Sequence, residues 1–93
     1  MMLHMEARHR KIVDTILKKY PYQFYAFGSR AVGTPRRFSD LDLCFKQEIP
    51  ERTVTLIEAE FAESDLPYTV DLVDWNQCTP SFRRTISKDL THI

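Results

Sequence analysis

This 93-residue chain contains two glycines, and both fall in one short stretch, at Gly28 and Gly33. Glycine gives up more backbone freedom on folding than any other residue, so it tends to stay where a side chain cannot be tolerated. Here that place is a turn leaving the apolar run Phe24-Tyr25-Ala26-Phe27, with Ser29 directly after Gly28. Ten residues separate Ser29 from the sequence Asp40-Leu41-Asp42-Leu43. On an extended strand Asp40 and Asp42 point to one face, and Leu41 and Leu43 to the other. Two carboxylates roughly 6–7 Å apart along such a strand, with no basic residue between them, repel each other unless a cation sits between their heads. The stretch from Phe27 to Leu43 therefore predicts a phosphate-cradling turn that faces a divalent metal site.

Whole-chain properties bound the rest. A length of 93 residues implies one domain, 1–93, with a single modest core. Hydrophobic residues at 43% and charged residues at 28% are ordinary for a soluble globular protein. The formal net charge of zero argues against a broad grip on nucleic acid, which depends on neutralising phosphates, so no direct nucleic-acid binding is expected. No apolar run approaches the ~20 residues of a membrane span. The start, Met1-Met2-Leu3-His4-Met5-Glu6, lacks the charged lead and apolar middle of a signal peptide. Cys44 and Cys78 show no metal-binding spacing and lie in apparently unrelated elements, as expected for reduced thiols in a cytoplasmic protein.

Taken in order, residues 4–20 predict a helix, with Met5, Ile12, Ile16, Leu17 and Tyr20 at helical spacing and Pro21 to end it. Residues 22–27 suit a first strand. Residues 29–34 predict a short helix or turn ended near Gly33, and Pro35-Arg36-Arg37 an exposed loop. A second strand is expected over 41–46, then a helix over about 50–64 with Pro50 in its first turn and Val54, Ile57 and Phe61 inward. Residues 68–75 predict a third strand. Thr79-Pro80 caps a last helix that carries Phe82, Ile86, Leu90 and Ile93 down one side. This order implies an α/β (α+β) fold, a small sheet with helices packed mainly on one face. The link from the first strand to the second is too brief for a crossover helix, so the sheet should be mixed.

The third strand adds Asp71 and Asp74 in V-D-L-V-D-W. If it lies beside the second strand, Asp71 falls on the face of Asp40 and Asp42, whereas Asp74 alternates away and reads as structural or peripheral. Three convergent carboxylates suit Mg²⁺, which favours a few carboxylates plus substrate phosphates. Two such ions ~3.5–4 Å apart can clamp an in-line phosphoryl or nucleotidyl displacement. Across from them, the bare backbone at Gly28 and the Ser29 hydroxyl can approach a triphosphate, and Arg30 is expected to add a cationic contact.

The combination Gly28-Ser29, then Asp40-Leu41-Asp42, then Asp71 on a later strand resembles the DNA polymerase beta-type nucleotidyltransferase superfamily. More narrowly, G-S-R-A-V-G with S-D-L-D-L and V-D-L-V-D is similar to the minimal nucleotidyltransferase (MNT) family, across essentially the whole chain. The resemblance implies a polymerase beta palm-like fold, with Asp40 and Asp42 as ligands shared by two Mg²⁺ ions. It implies Asp71 as the third carboxylate and general base, and Gly28 and Ser29 on the triphosphate of ATP. One departure stands out: family members often carry a second arginine before the second glycine, where this chain has Val32. Members of this family are often antitoxins of HEPN-domain ribonuclease toxins. They neutralise the toxin by moving AMP from ATP onto one of its tyrosines, or by binding alone.

A single helix is expected after the third strand, so the acceptor would be bound across an interface with another protein. Trp75 and Phe82 are candidates for an apolar partner-facing patch. Arg36-Arg37 and Arg83-Arg84 read as solvated surface, and His4, His9 and His92 have no ligand spacing. Two alternatives to protein adenylylation fit the same residues: an idle antitoxin that masks its toxin, and a small-molecule nucleotidyltransferase of the aminoglycoside-modifying type.

Overall fold

The computed structural model describes residues 3–33 and 39–93; the loop expected at Pro35-Arg36-Arg37 lies outside them. Helix α1 spans Ala7–Leu17, strand β1 Tyr25–Phe27, helix α2 Ser29–Val32 and strand β2 Leu41–Phe45. Helix α3 spans Glu51–Glu63 and strand β3 Val70–Asp74; after a 3-10 turn at Trp75–Gln77 come helix α4, Pro80–Ser87, and strand β4, Thr91–His92. The strands form one sheet in the order β3-β2-β1-β4. β1 runs antiparallel to both β2 and β4, and β2 runs parallel to β3. The sheet is mixed, as the short β1–β2 link requires.

Strand alternation sorts the side chains into two faces. Leu41, Leu43 and Phe45 of β2 join Val13, Ile16 and Leu17 of α1 and Ile57 and Phe61 of α3 in the main core. Leu41, Leu43, Ile57 and Val13 are fully buried there. Full burial of each such aliphatic side chain contributes about 1.5–3 kcal/mol, so this layer fixes the register of β2. Cys44, on the opposite face, meets Phe27 and Ile86 in a second, smaller cluster flanked by Val73, Trp75 and Leu90. α4 therefore covers part of the face that α1 and α3 leave open.

Two expectations are corrected at the C-terminus. The last helix ends at Ser87, and Thr91–His92 form a fourth, edge strand against β1. Ile93 consequently sits at the sheet edge, where its N–H donates to the Phe24 carbonyl at 3.1 Å. The expected start of α4 holds: Thr79 Oγ1 accepts from the Phe82 N–H at 3.1 Å, with Pro80 at the first helical position. Among the described residues, no helix is long and apolar enough to cross a membrane.

Candidate active site

Register brings the acidic residues together. In the parallel pair β2/β3 the Cα partner of Asp42 is Asp71, and neighbouring strands lie about 4.7–4.9 Å apart. In the antiparallel pair β1/β2 the partner of Asp42 is Phe27, the residue before Gly28. One carboxylate therefore has the second acid on one side and the glycine turn on the other. Asp40 lies just ahead of β2 and is exposed. Burial pushes the Asp42 carboxyl above its ordinary range, and the negative charges of Asp71 and then Asp40 push it further. All three acids share one field.

Gly28 takes φ 76°, ψ −162°, a region that essentially only glycine occupies. A Cβ built at this position would collide with Asp42 Oδ2 and stand 3.4 Å from Asp42 Cγ. The absent side chain is what lets the carboxylate lie against the turn. α2 starts at Ser29, which is half-buried, and the Gly28 carbonyl accepts from the N–H groups of Ala31 and Val32 at 3.0 and 3.1 Å. Gly33 closes the helix at φ 93°, in the left-handed conformation usual for such a cap.

Arg30 has a different setting from the one expected of a phosphate contact. Its side chain is 4% exposed. Nε donates to the Ser39 carbonyl at 2.9 Å and Nη1 to the His4 carbonyl at 3.1 Å. The guanidinium lies over the Tyr68 ring, 3.8 Å from its centroid. The charge is engaged inside the fold. Nothing in the local sequence signals this, because the three partners come from distant segments.

Asp74, which alternation turns away from Asp71, caps the next turn: its Oδ1 accepts from the Asn76 N–H at 2.9 Å and starts the 3-10 turn. The cysteines are closer neighbours than their sequence positions suggest. Cys44 is buried and Cys78 partly so, both are free thiols, and Cys78 is among the charges that act on Cys44. Burial above all pushes the Cys44 thiol up to about 11. On the same face, Phe82 is 40% exposed and stands edge-on to Phe27, with ring centroids 6.1 Å apart.

Among the described residues, no three His, Cys, Asp or Glu side chains already close into a metal-holding group. Asp40, Asp42 and Asp71 are acids in one field rather than a finished cage. That donor set still fits Mg²⁺, which takes one or two carboxylates and completes its shell with water and substrate phosphates. A cation there would relieve the repulsion that raises Asp42.

Comparison with known proteins agrees with this architecture. Residues 10–93 match the family described as Polymerase beta, Nucleotidyltransferase. The chain is 39% identical over 90 residues to a Haemophilus influenzae protein named "Probable protein adenylyltransferase MntA", a match covering 92% of this chain and 79% of that one. A solved structure described as "Crystal structure of the toxin-antitoxin with AMP-PNP" shares the fold, with a TM-score of 0.69 at 23% identity over 88% of this chain and 69% of that chain. A mixed sheet with paired acids beside a glycine turn, matched over nearly its whole length, makes this chain a member of the polymerase beta nucleotidyltransferase family, in its minimal branch.

Proposed function

We propose that this protein moves AMP from ATP onto a hydroxyl of a partner protein, and that the partner is a HEPN-type ribonuclease toxin which it neutralises as the antitoxin. The observation that carries this reading is the Asp42–Asp71 register beside the bare backbone of Gly28. Two Mg²⁺ ions held there would supply charge neutralisation at the α-phosphate and at the leaving pyrophosphate. Asp40 and Asp42 would be the shared ligands, and Asp71 the third carboxylate. Gly28 and Ser29 would hold the triphosphate against the turn. Asp71 is also the group suited to take the proton from the acceptor hydroxyl as its oxygen attacks the α-phosphorus and pyrophosphate leaves. The half-exposed Phe82 would lie on the partner-facing side.

The name of the Haemophilus relative supports protein adenylylation, and the description of the solved structure supports a toxin as partner and an ATP-like donor. The test uses purified protein, Mg²⁺ and the cognate partner with ATP labelled either at the α- or at the γ-phosphate. Transfer of the α-label alone is expected. Transfer of the γ-label would mean phosphorylation, and transfer of neither would remove the enzymatic reading. Masking without catalysis is the second reading, with the exposed Phe82 on the docking surface. Under it, a triple variant of Asp40, Asp42 and Asp71 to Asn would still neutralise the partner.

A further inference from the structure

We infer that Arg30 is a positioning residue whose buried guanidinium sets where the carboxylates of Asp40 and Asp71 stand. This inference rests on the metal role proposed above, but its geometry stands apart from it. The guanidinium joins four segments of the chain at one point. It belongs to α2, and it holds the His4 carbonyl of the N-terminal segment and the Ser39 carbonyl one residue ahead of Asp40. It also lies on the ring of Tyr68, three residues ahead of Asp71. The N-terminal segment is tied back to α2, because the His4 N–H donates to the Arg30 carbonyl at 2.8 Å and the His4 ring lies against Gly33. Where β2 and β3 begin, the Leu41 N–H donates to the Thr69 carbonyl at 2.9 Å. The approaches to both strands are therefore fixed to each other and to one cation.

Burying a cation is costly unless hydrogen bonds and a polarisable surface compensate it. Carbonyl oxygens and an aromatic face supply both here, and only a planar fork can reach the two carbonyls while lying flat on a ring. Lysine keeps the charge but has no such fork. Groups that hold metal ligands from outside typically change metal affinity by about 10–100-fold when removed. Arg30 would therefore act on metal binding through Ser39 and Tyr68 and make no contact with the triphosphate.

The experiment compares the wild-type chain with Arg30→Lys, and with Tyr68→Leu as a milder variant that keeps the cation and removes its platform. Mn²⁺ affinity is measured by electron paramagnetic resonance, backbone amide exchange is read at residues 40–42 and 70–72, and transfer activity is titrated separately with Mg²⁺ and with ATP. For Arg30→Lys the expected result is Mn²⁺ affinity about 10–100-fold weaker, faster exchange at both strand starts, and a raised Mg²⁺ requirement with the KM for ATP little changed. Tyr68→Leu should move the same readouts in the same direction by less. A folded Arg30→Lys with wild-type Mn²⁺ affinity and exchange but a raised KM for ATP would overturn the inference and make Arg30 a phosphate contact. If Arg30→Lys does not fold, a Tyr68→Leu variant with unaltered exchange and Mn²⁺ affinity would overturn it equally. If the wild type binds no Mn²⁺, the proposed metal role fails, and amide exchange alone then decides whether Arg30 sets the two strand starts.

Discussion

Asp42 Oδ2 lies within collision distance of the point where a Cβ on residue 28 would stand. The conformation of Gly28 and the placement of the carboxylate are therefore one feature. Gly28→Ala would meet a backbone conformation costing about 1–3 kcal/mol for a non-glycine residue, and a clash with Asp42 as well. The variant should melt at a lower temperature than wild type and transfer no label. Gly33→Ala, strained at a helix end where its Cβ would meet the His4 ring and not Asp42, should lose stability while keeping measurable transfer. Thermal melts and the α-label assay on both variants check this contrast.

The charge on Asp42 opposes folding. Its carboxyl is raised in the folded chain, by burial first and by Asp71 and Asp40 after that. A folded-state value above the unfolded one means a stabilising contribution that is complete below the ordinary carboxylate range and lost as pH rises through the folded value. Asp42→Asn should accordingly melt above wild type at neutral pH, with the difference closing as the pH falls into the acid range. Mg²⁺ should raise the melting temperature of wild type at neutral pH and leave Asp42→Asn little changed. Melting curves against pH, with and without Mg²⁺, measure both effects.

The two thiols should differ in reactivity. Cys44 is fully buried and pushed up to about 11, so little thiolate is present at pH 8, whereas Cys78 is partly exposed. Intact-mass analysis after brief treatment with a maleimide should find one adduct on the native chain, at Cys78, and a second after denaturation. Equal native labelling of both would contradict the burial of Cys44.

Much of this arrangement was legible in the chain because period two is unambiguous over five residues. In Leu41–Phe45, three apolar side chains must share the core, which puts Asp42 on the other face. The same parity in Val70–Asp74 places Asp71 with Asp42 and leaves Asp74 to cap the next turn. What escaped sequence reasoning depends on contacts between distant segments. β4 is two residues long, too short for any alternation, and exists because Ala26 and Tyr25 offer it an edge. Val13, fully buried, belongs to the inward stripe of α1 beside Ile16 and Leu17, although the spacing of Met5, Ile12, Ile16, Leu17 and Tyr20 does not mark it. The burial of Arg30 could not be read locally, since a cation after Gly-Ser suggests a phosphate contact, whereas the residues it meets in the fold, Tyr68, His4 and Ser39, belong to other segments.

The claim on which the account depends is that Asp40, Asp42 and Asp71 perform chemistry on the partner and do not merely decorate a docking face. The most direct measurement is the intact mass of the proposed toxin partner after co-expression with wild type or with Asp42→Asn. The account predicts a mass gain of one AMP residue with wild type and none with Asp42→Asn. An identical partner mass in the two cases would contradict it.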